Sequence, residues 1–230
     1  MKNWNGAKGQ TTGRIGLGVC ATAVAVAFAV ALPQAAYADD VTPPPVPGDI
    51  AVPAGNRPFL VGHAVGTQNY VCLPSSTGVA FTLFTPEATL LSDDEDQITT
   101  HFFGPNPSEP NTNPAVVATG VIRAAWQHSR DGSTVWGQVK QPRHSSSDPA
   151  FVAPNAIPWL LATKVGVQNG PAGGDVLTKT TFIQRLNTSG GVAPSTGCNS
   201  SADVGHLAFV PYTADYFFSK GPEEHADRGN

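Results

Sequence analysis

Residues 181–198 read TFIQRLNTSGGVAPSTGC, and this stretch decides the fold class. Its first half is β-branched, aromatic and aliphatic with a single charge, Arg185, which suits a pleated strand. The run breaks at Gly190-Gly191, where a positive φ costs nothing, and again at Pro194. It ends at Cys198. A strand, a glycine turn and a covalent tether in so short a span describe the anchor of a small β-domain.

The same grammar recurs on the N-terminal side of this anchor. Phe59, Val61, His63 and Val65 alternate with Leu60, Gly62, Ala64 and Gly66, giving a glycine-containing strand that reaches Cys72. Val79, Phe81 and Leu83 alternate with Ala80 and Thr82 in a second strand closed by Pro86. Residues 89–91 and 98–103 flank SDDEDQ as a hairpin. A Pro/Asn-rich loop follows at 106–114. Residues 116–127 and 133–140 are strands joined across Ser129-Arg130-Asp131-Gly132, because Asp-Gly between alternating runs is a hairpin signal. Residues 157–167 form an apolar strand containing Trp159, and 206–210 with 212–218 supply the last one or two. No amphipathic helical window stands out and no fixed repeat is present. The expected fold is a single all-β domain over 59–219, an antiparallel β-sandwich or barrel of about eight to ten strands.

The ends of the chain read differently. Lys2, Lys8 and Arg14 precede an apolar, uncharged run at 15–32, and Ala36-Tyr37-Ala38 is a small-x-small cleavage pattern. Residues 1–38 are therefore expected to be a signal peptide cut between Ala38 and Asp39, and the protein to be secreted. The rival reading is a retained membrane anchor, since the run is near bilayer-spanning length. Residues 39–58, with PPPVPG and VPAGNRP, are expected to be a proline-rich linker, and 220–230 a mobile charged tail. With the leader set aside, 10 basic residues face 17 acidic ones, a net charge of −7. That balance, with no basic stripe, argues against nucleic acid as a partner. Once the leader is removed, nothing calls for a membrane. Cys72 and Cys198 are then the remaining cysteines, and a disulfide between them is expected in an oxidising compartment.

Motifs for chemistry are sparse. Gly16-x-Gly18-x-x-Ala21 fits the dinucleotide pattern but lies in the leader, without the preceding strand or the downstream acid the pattern needs. No cofactor is expected. The six histidines show no metal-ligand spacing, and Asp93-Asp94-Glu95-Asp96 lacks the turn glycine of a calcium loop, so no metal site is expected. No G-x-S-x-G elbow is present, and the glutamates fall in turns, loops or the tail, which leaves Asp131 and Asp215, nearer strands, as the carboxylate pair open to glycoside hydrolysis. Trp126, Trp136, Trp159, Tyr70, Tyr212 and Tyr216 offer either a sugar-stacking platform or filling for a β-core. His101, Trp126 and Asp131 are the candidate ligand-binding residues. Arg185 is expected to be a buried structural charge, with Asp215 or Asp131 as its carboxylate partner or with carbonyls of the Gly190-Gly191 turn.

Several blocks occur in one order: Cys72, Pro86-Glu87-Ala88, His101 with Gly104-Pro105, Asp131-Gly132-Ser133, Ile157-Pro158-Trp159-Leu160-Leu161, Ile183-Gln184-Arg185-x-Asn187-Thr188-x-Gly190-Gly191-x-Ala193-Pro194, Cys198 and Tyr212-x-Ala214-Asp215-Tyr216. Together they resemble an uncharacterised family of secreted bacterial and fungal proteins, a domain of unknown function. Some fungal members carry an automatic "malate dehydrogenase" label, which these residues do not support. The resemblance spans nearly all of 59–218; the chain departs from it by a loop from Asn106 and an extra strand from Val116. It implies an exported domain without an assigned activity. The expectation for function is a secreted or cell-surface domain, not an enzyme, that binds a ligand or serves structurally. An extracellular glycan or cell-wall component is the candidate ligand class. The alternative is a secreted hydrolase of unknown specificity.

Overall fold

The computed structural model describes residues 41–115, 119–140 and 144–222. The leader with its Ala38–Asp39 cleavage position, the start proposed for an extra strand at Val116, and the tail from residue 223 lie outside the described residues.

Nine strands follow one another among the described residues. They are β1 (Arg57–Ser75), β2 (Gly78–Leu91), β3 (Gln97–Pro110), β4 (Gly120–His128), β5 (Thr134–Val139), β6 (Ser145–Ser146), β7 (Trp159–Gln168), β8 (Thr180–Gly190) and β9 (Leu207–Lys220). Every pairing is antiparallel. The spatial order β5-β4-β3-β2-β1-β9-β8-β7 is closed by β5 pairing with β7, which makes an eight-stranded up-and-down barrel. β6 is a short addition that continues the edge of β7 where β5 leaves off, Val139 lying opposite Ala162 and Ser145 opposite Leu160. Closure satisfies edges that an open sheet would leave to solvent or to another chain. Of the two architectures the sequence allowed, the protein is the barrel.

The inner wall is built on a small–large alternation. Gly62 lies opposite Tyr216 and Gly66 opposite Tyr212 across the β1–β9 ladder, so the tyrosine rings have room over β1. A Cβ added to Gly66 would lie 2.6 Å from the Ala88 Cα, too close for any side chain. Trp126 needs the same concession from β5, since a Cβ on Gly137 would lie 3.0 Å from its ring. Leu90, Val135, Leu177, Ile183 and Phe218 fill one end of the barrel and are fully buried. Each such side chain contributes roughly 1.5–3 kcal/mol by leaving water.

A second core lies outside the barrel wall. Ile50, in a 3-10 turn at Gly48–Ile50, packs with Val152, Trp159, Leu161, Leu186 and Phe217, flanked by Val41, Val46 and Val52. Gln184 Nε2 donates to the Ile50 carbonyl at 2.8 Å. The proline-rich stretch expected to be a linker is therefore a strap over β7–β9 from Val41 to Val52. Its prolines exclude helix and ladder, yet its valines and Ile50 still carry apolar area worth burying.

Two further boundaries differ from the reading of the sequence. Pro86 does not end a strand; it lies inside β2, where β2 has parted from β3, and such a position tolerates a residue without an N–H. Asn106 does not open a loop, because β3 runs on to Pro110. Its fully buried side chain donates to Glu109 Oε2 at 2.7 Å and to the Val165 carbonyl at 3.2 Å, and accepts the Ser108 N–H. The Cys72–Cys198 disulfide is formed and ties the β8–β9 connection to β1.

Candidate functional site

At the end of the barrel away from Leu90 and Phe218, side chains stop filling the interior and leave a cavity of about 490 Å³. The cause is topological. The β2–β3 ladder stops at Ala88–His101; beyond it β2 pairs only with β1, and β3 only with β4. One bond still bridges the slit, from the Phe103 N–H to Thr85 Oγ1 at 3.2 Å. Leu83 and Ile122 border the cavity and are substantially exposed, which places them at its mouth.

Strand alternation turns Gln68, Tyr70, His101, Trp126, Arg185 and Tyr216 to the cavity. The His101 ring stacks on Trp126 with centroids 4.3 Å apart and planes 6° from parallel, and Tyr216 meets the Trp126 ring edge-on at 5.7 Å. His101 Nδ1–H donates to the Ala125 carbonyl at 2.9 Å. Burial pulls its pKa down to about 3 against that carbonyl, with the nearby Arg185 charge acting in the same sense, so the imidazole is neutral. Burial also pushes the Tyr216 and Tyr212 hydroxyls up, so neither becomes a phenolate at neutral pH; the two oxygens lie 3.3 Å apart. Loss of water is the largest cause of each of these shifts, and each favours the neutral form.

Arg185 is the charge left inside. Its Nε and Nη2 donate to the Pro158 carbonyl at 3.3 and 2.8 Å. The expected carboxylate partner is absent for a reason of register: Arg185 lies opposite inward-facing Tyr216, while Leu186 lies opposite Asp215. Asp215 therefore sits on the outer face, accepting from His63 Nδ1 and Asn187 Nδ2, each at 2.7 Å. Burial works to lower the His63 pKa, but Asp215 and Asp93 on its two ring nitrogens outweigh this and raise it. The carbonyls of the glycine turn are not used by Arg185 either. Tyr70 takes one of them, its hydroxyl donating to Gly191 O at 2.6 Å, while Gly190 and Gly191 hold φ of 67° and 83°.

Of the three residues expected to form a binding site, the fold brings His101 and Trp126 together and leaves Asp131 apart. Asp131 sits past the far end of β4, where it clamps the β4–β5 turn. It accepts from Ser133 N–H and Oγ at 2.9 and 2.7 Å, from His128 Nδ1 at 2.9 Å and from the Val176 N–H at 2.9 Å. Burial pushes its carboxyl up, but these bonds prevail and hold it well below the usual range. The glutamates are not confined to loops either. Glu109 on β3 takes a two-pronged bond from Arg123 at 2.8 and 2.9 Å, which with Asn106 lowers its pKa to about 2. Trp126, Trp136, Trp159, Tyr212 and Tyr216 are all buried, so these five rings form no exposed platform. Gln68, Tyr70 and Arg185 are the cavity residues that sequence reasoning missed. Gln68 could have been found: it continues the phase of Gly62, Ala64 and Gly66, a polar side chain on the small-residue face.

The fold and its hollow end define a class, the closed eight-stranded barrel with an internal cavity. A model of the family described as "Protein of unknown function (DUF3455)" matches residues 53–220, and the chain belongs to that family. No curated protein and no solved structure matches the chain.

Proposed function

We propose that this domain is a non-enzymatic binding protein that holds a small organic molecule inside its barrel. The observation that carries this reading is the contrast between a filled barrel end and an open space of about 490 Å³ at the other, within the range of ligand sites. Eight strands leave just enough interior for side chains or for one small ligand, and here the side chains stop short. Among the described residues the cavity lining contains no Asp or Glu, and its ionisable His101 and Tyr216 are both held neutral, which favours binding over hydrolysis. A glycan gains no support from Trp126, Trp136 and Trp159, since all three are buried. The setting we propose is outside the cytoplasm, a reading supported by the Cys72–Cys198 disulfide.

The test uses a neutral fluorescent probe, 1-aminoanthracene, titrated into the full chain. Saturable binding of one dye per chain is expected. Ala124→Trp, which places a large ring in the cavity, should abolish it without lowering the melting temperature by more than a few degrees. Absent binding in the wild type, or undiminished binding in a folded Ala124→Trp variant, would sink the reading.

A further inference from the structure

The cavity is chemically lopsided. Among the described residues two cations line it, Arg123 and Arg185, and no carboxylate does. Arg123 is neutralised by the two-pronged bond to Glu109. Arg185 is not; among the described residues its partners are uncharged, the Pro158 carbonyl and the Tyr216 hydroxyl, and that hydroxyl remains protonated. A guanidinium carries more N–H donors than one carbonyl can use, and in a half-buried site the rest call for an acceptor that bears charge.

Buried donors without partners point the same way. Trp126 is 2% exposed and its Nε1–H has no hydrogen-bond partner. Gln68 is also 2% exposed; its amide nitrogen lies near the Tyr212 hydroxyl but makes no well-formed bond. Native interiors rarely leave such groups unmatched, and each marks a place where an acceptor belongs. His101 has already spent its donor on the Ala125 carbonyl. Leu83, Phe103, Ile122 and Leu160 line the same cavity and offer only apolar surface, Leu160 directly across the β7–β8 ladder from Arg185.

We infer that the ligand of the barrel is an amphipathic organic carboxylate, its anionic head at Arg185 and its apolar body against Phe103, Ile122 and Leu160. This rests on the reading of the barrel as a binding cavity and adds the chemical class of what it binds. A planar guanidinium fork suits a carboxylate in two-pronged geometry, as Arg123 with Glu109 shows in the same wall.

Isothermal titration of the full chain at pH 7 with 2-naphthoate and with 2-naphthamide, which differ only in charge and head group, tests the inference. Naphthoate should bind one to one and about tenfold or more tightly than the amide, because charge-assisted bonds are roughly twice as strong as neutral ones. Arg185→Met should erase that preference, and Arg185→Lys should retain part of it. Naphthoate binding no tighter than the amide, including no binding of either, overturns the carboxylate assignment, as does a preference that survives Arg185→Met. Should Arg185→Met fail to fold, the wild-type ratio of acid to amide decides by itself. If 1-aminoanthracene binds and the acid shows no preference, only this inference falls; if the dye also fails, the binding reading falls with it.

Discussion

The two ends of the barrel interior share strands, and often share residues two positions apart, yet they are built on different rules. At one end Leu90, Val135, Leu177, Ile183 and Phe218 interdigitate as in any core. At the other, Gln68, Tyr70, His101 and Arg185 occupy inward positions and space remains between them. Trp126 and Tyr216 lie at the boundary, in contact with both. The difference teaches where selection for stability stops: a barrel kept only for its fold has no reason to hold an unneutralised guanidinium inside.

The largest effect should come from carving into the packed end. Leu90→Ala is expected to cost about 2–5 kcal/mol, because it leaves a hole that its neighbours cannot collapse into. Phe103→Ala, at a wall that already borders open space, should cost under about 1 kcal/mol despite removing more atoms. Paired denaturant titrations of the two variants decide it. Equal losses would mean that the hollow end is packed after all.

A smaller effect is expected from acid. The pKa of folded His101 lies near 3, below the ordinary 6.5, so between these values the unfolded chain takes up a proton that the folded one refuses. Its stabilising contribution is complete above the unfolded value and is lost as pH falls toward the folded one. Between pH 7 and 5 the loss should be about 2 kcal/mol. His63, with its raised pKa, acts in the opposite sense, so the measurement is the difference between wild type and His101→Gln in melts at both pH values. A variant that loses as much stability as the wild type over this interval would show that the cavity floor is wet and its histidine free to charge.

The smallest effect sharpens the contrast most. Arg185→Met should change stability by less than about 1 kcal/mol, in either direction, since it exchanges bonds to one carbonyl and one hydroxyl for relief of an uncompensated charge. A drop of about 3–5 kcal/mol, the usual result of breaking a buried ion pair, would make Arg185 a structural residue.

Much of the wall was legible in the sequence, and little of the space it encloses. Alternation located β8, the β4–β5 hairpin across Asp131-Gly132 and the pairing of Cys72 with Cys198, because those signals are local or follow from a count. Pro86 misled because a missing N–H matters only where a ladder would use it, and the parting of β2 from β3 is a long-range fact. The strap misled because proline content reports on backbone geometry and not on whether Ile50 has somewhere to go. Arg185 and Asp215 were matched by charge, whereas the β8–β9 register sends one inward and the other out. Alternation tells which side chains share a face; it does not tell which face encloses a void.

The ladder that seals the barrel joins its first strand to its last, from Arg57 opposite Lys220 to Val71 opposite Leu207. Hairpins β1–β2 through β4–β5 can form as soon as their own residues are available, but the seam cannot. Until β9 arrives, β1 and β8 each present an unpaired edge, and the polar wall of the cavity has no opposite side. The chain therefore pays a large loop-closure entropy before its most extensive pairing returns anything, which places it among slow, high-contact-order folders. During that delay the open sheet is a template for strands of other chains. Synthesis from the N-terminus holds the domain in this open state until its last strand is released, so it is the final residues of β9 that turn a curved sheet into a vessel.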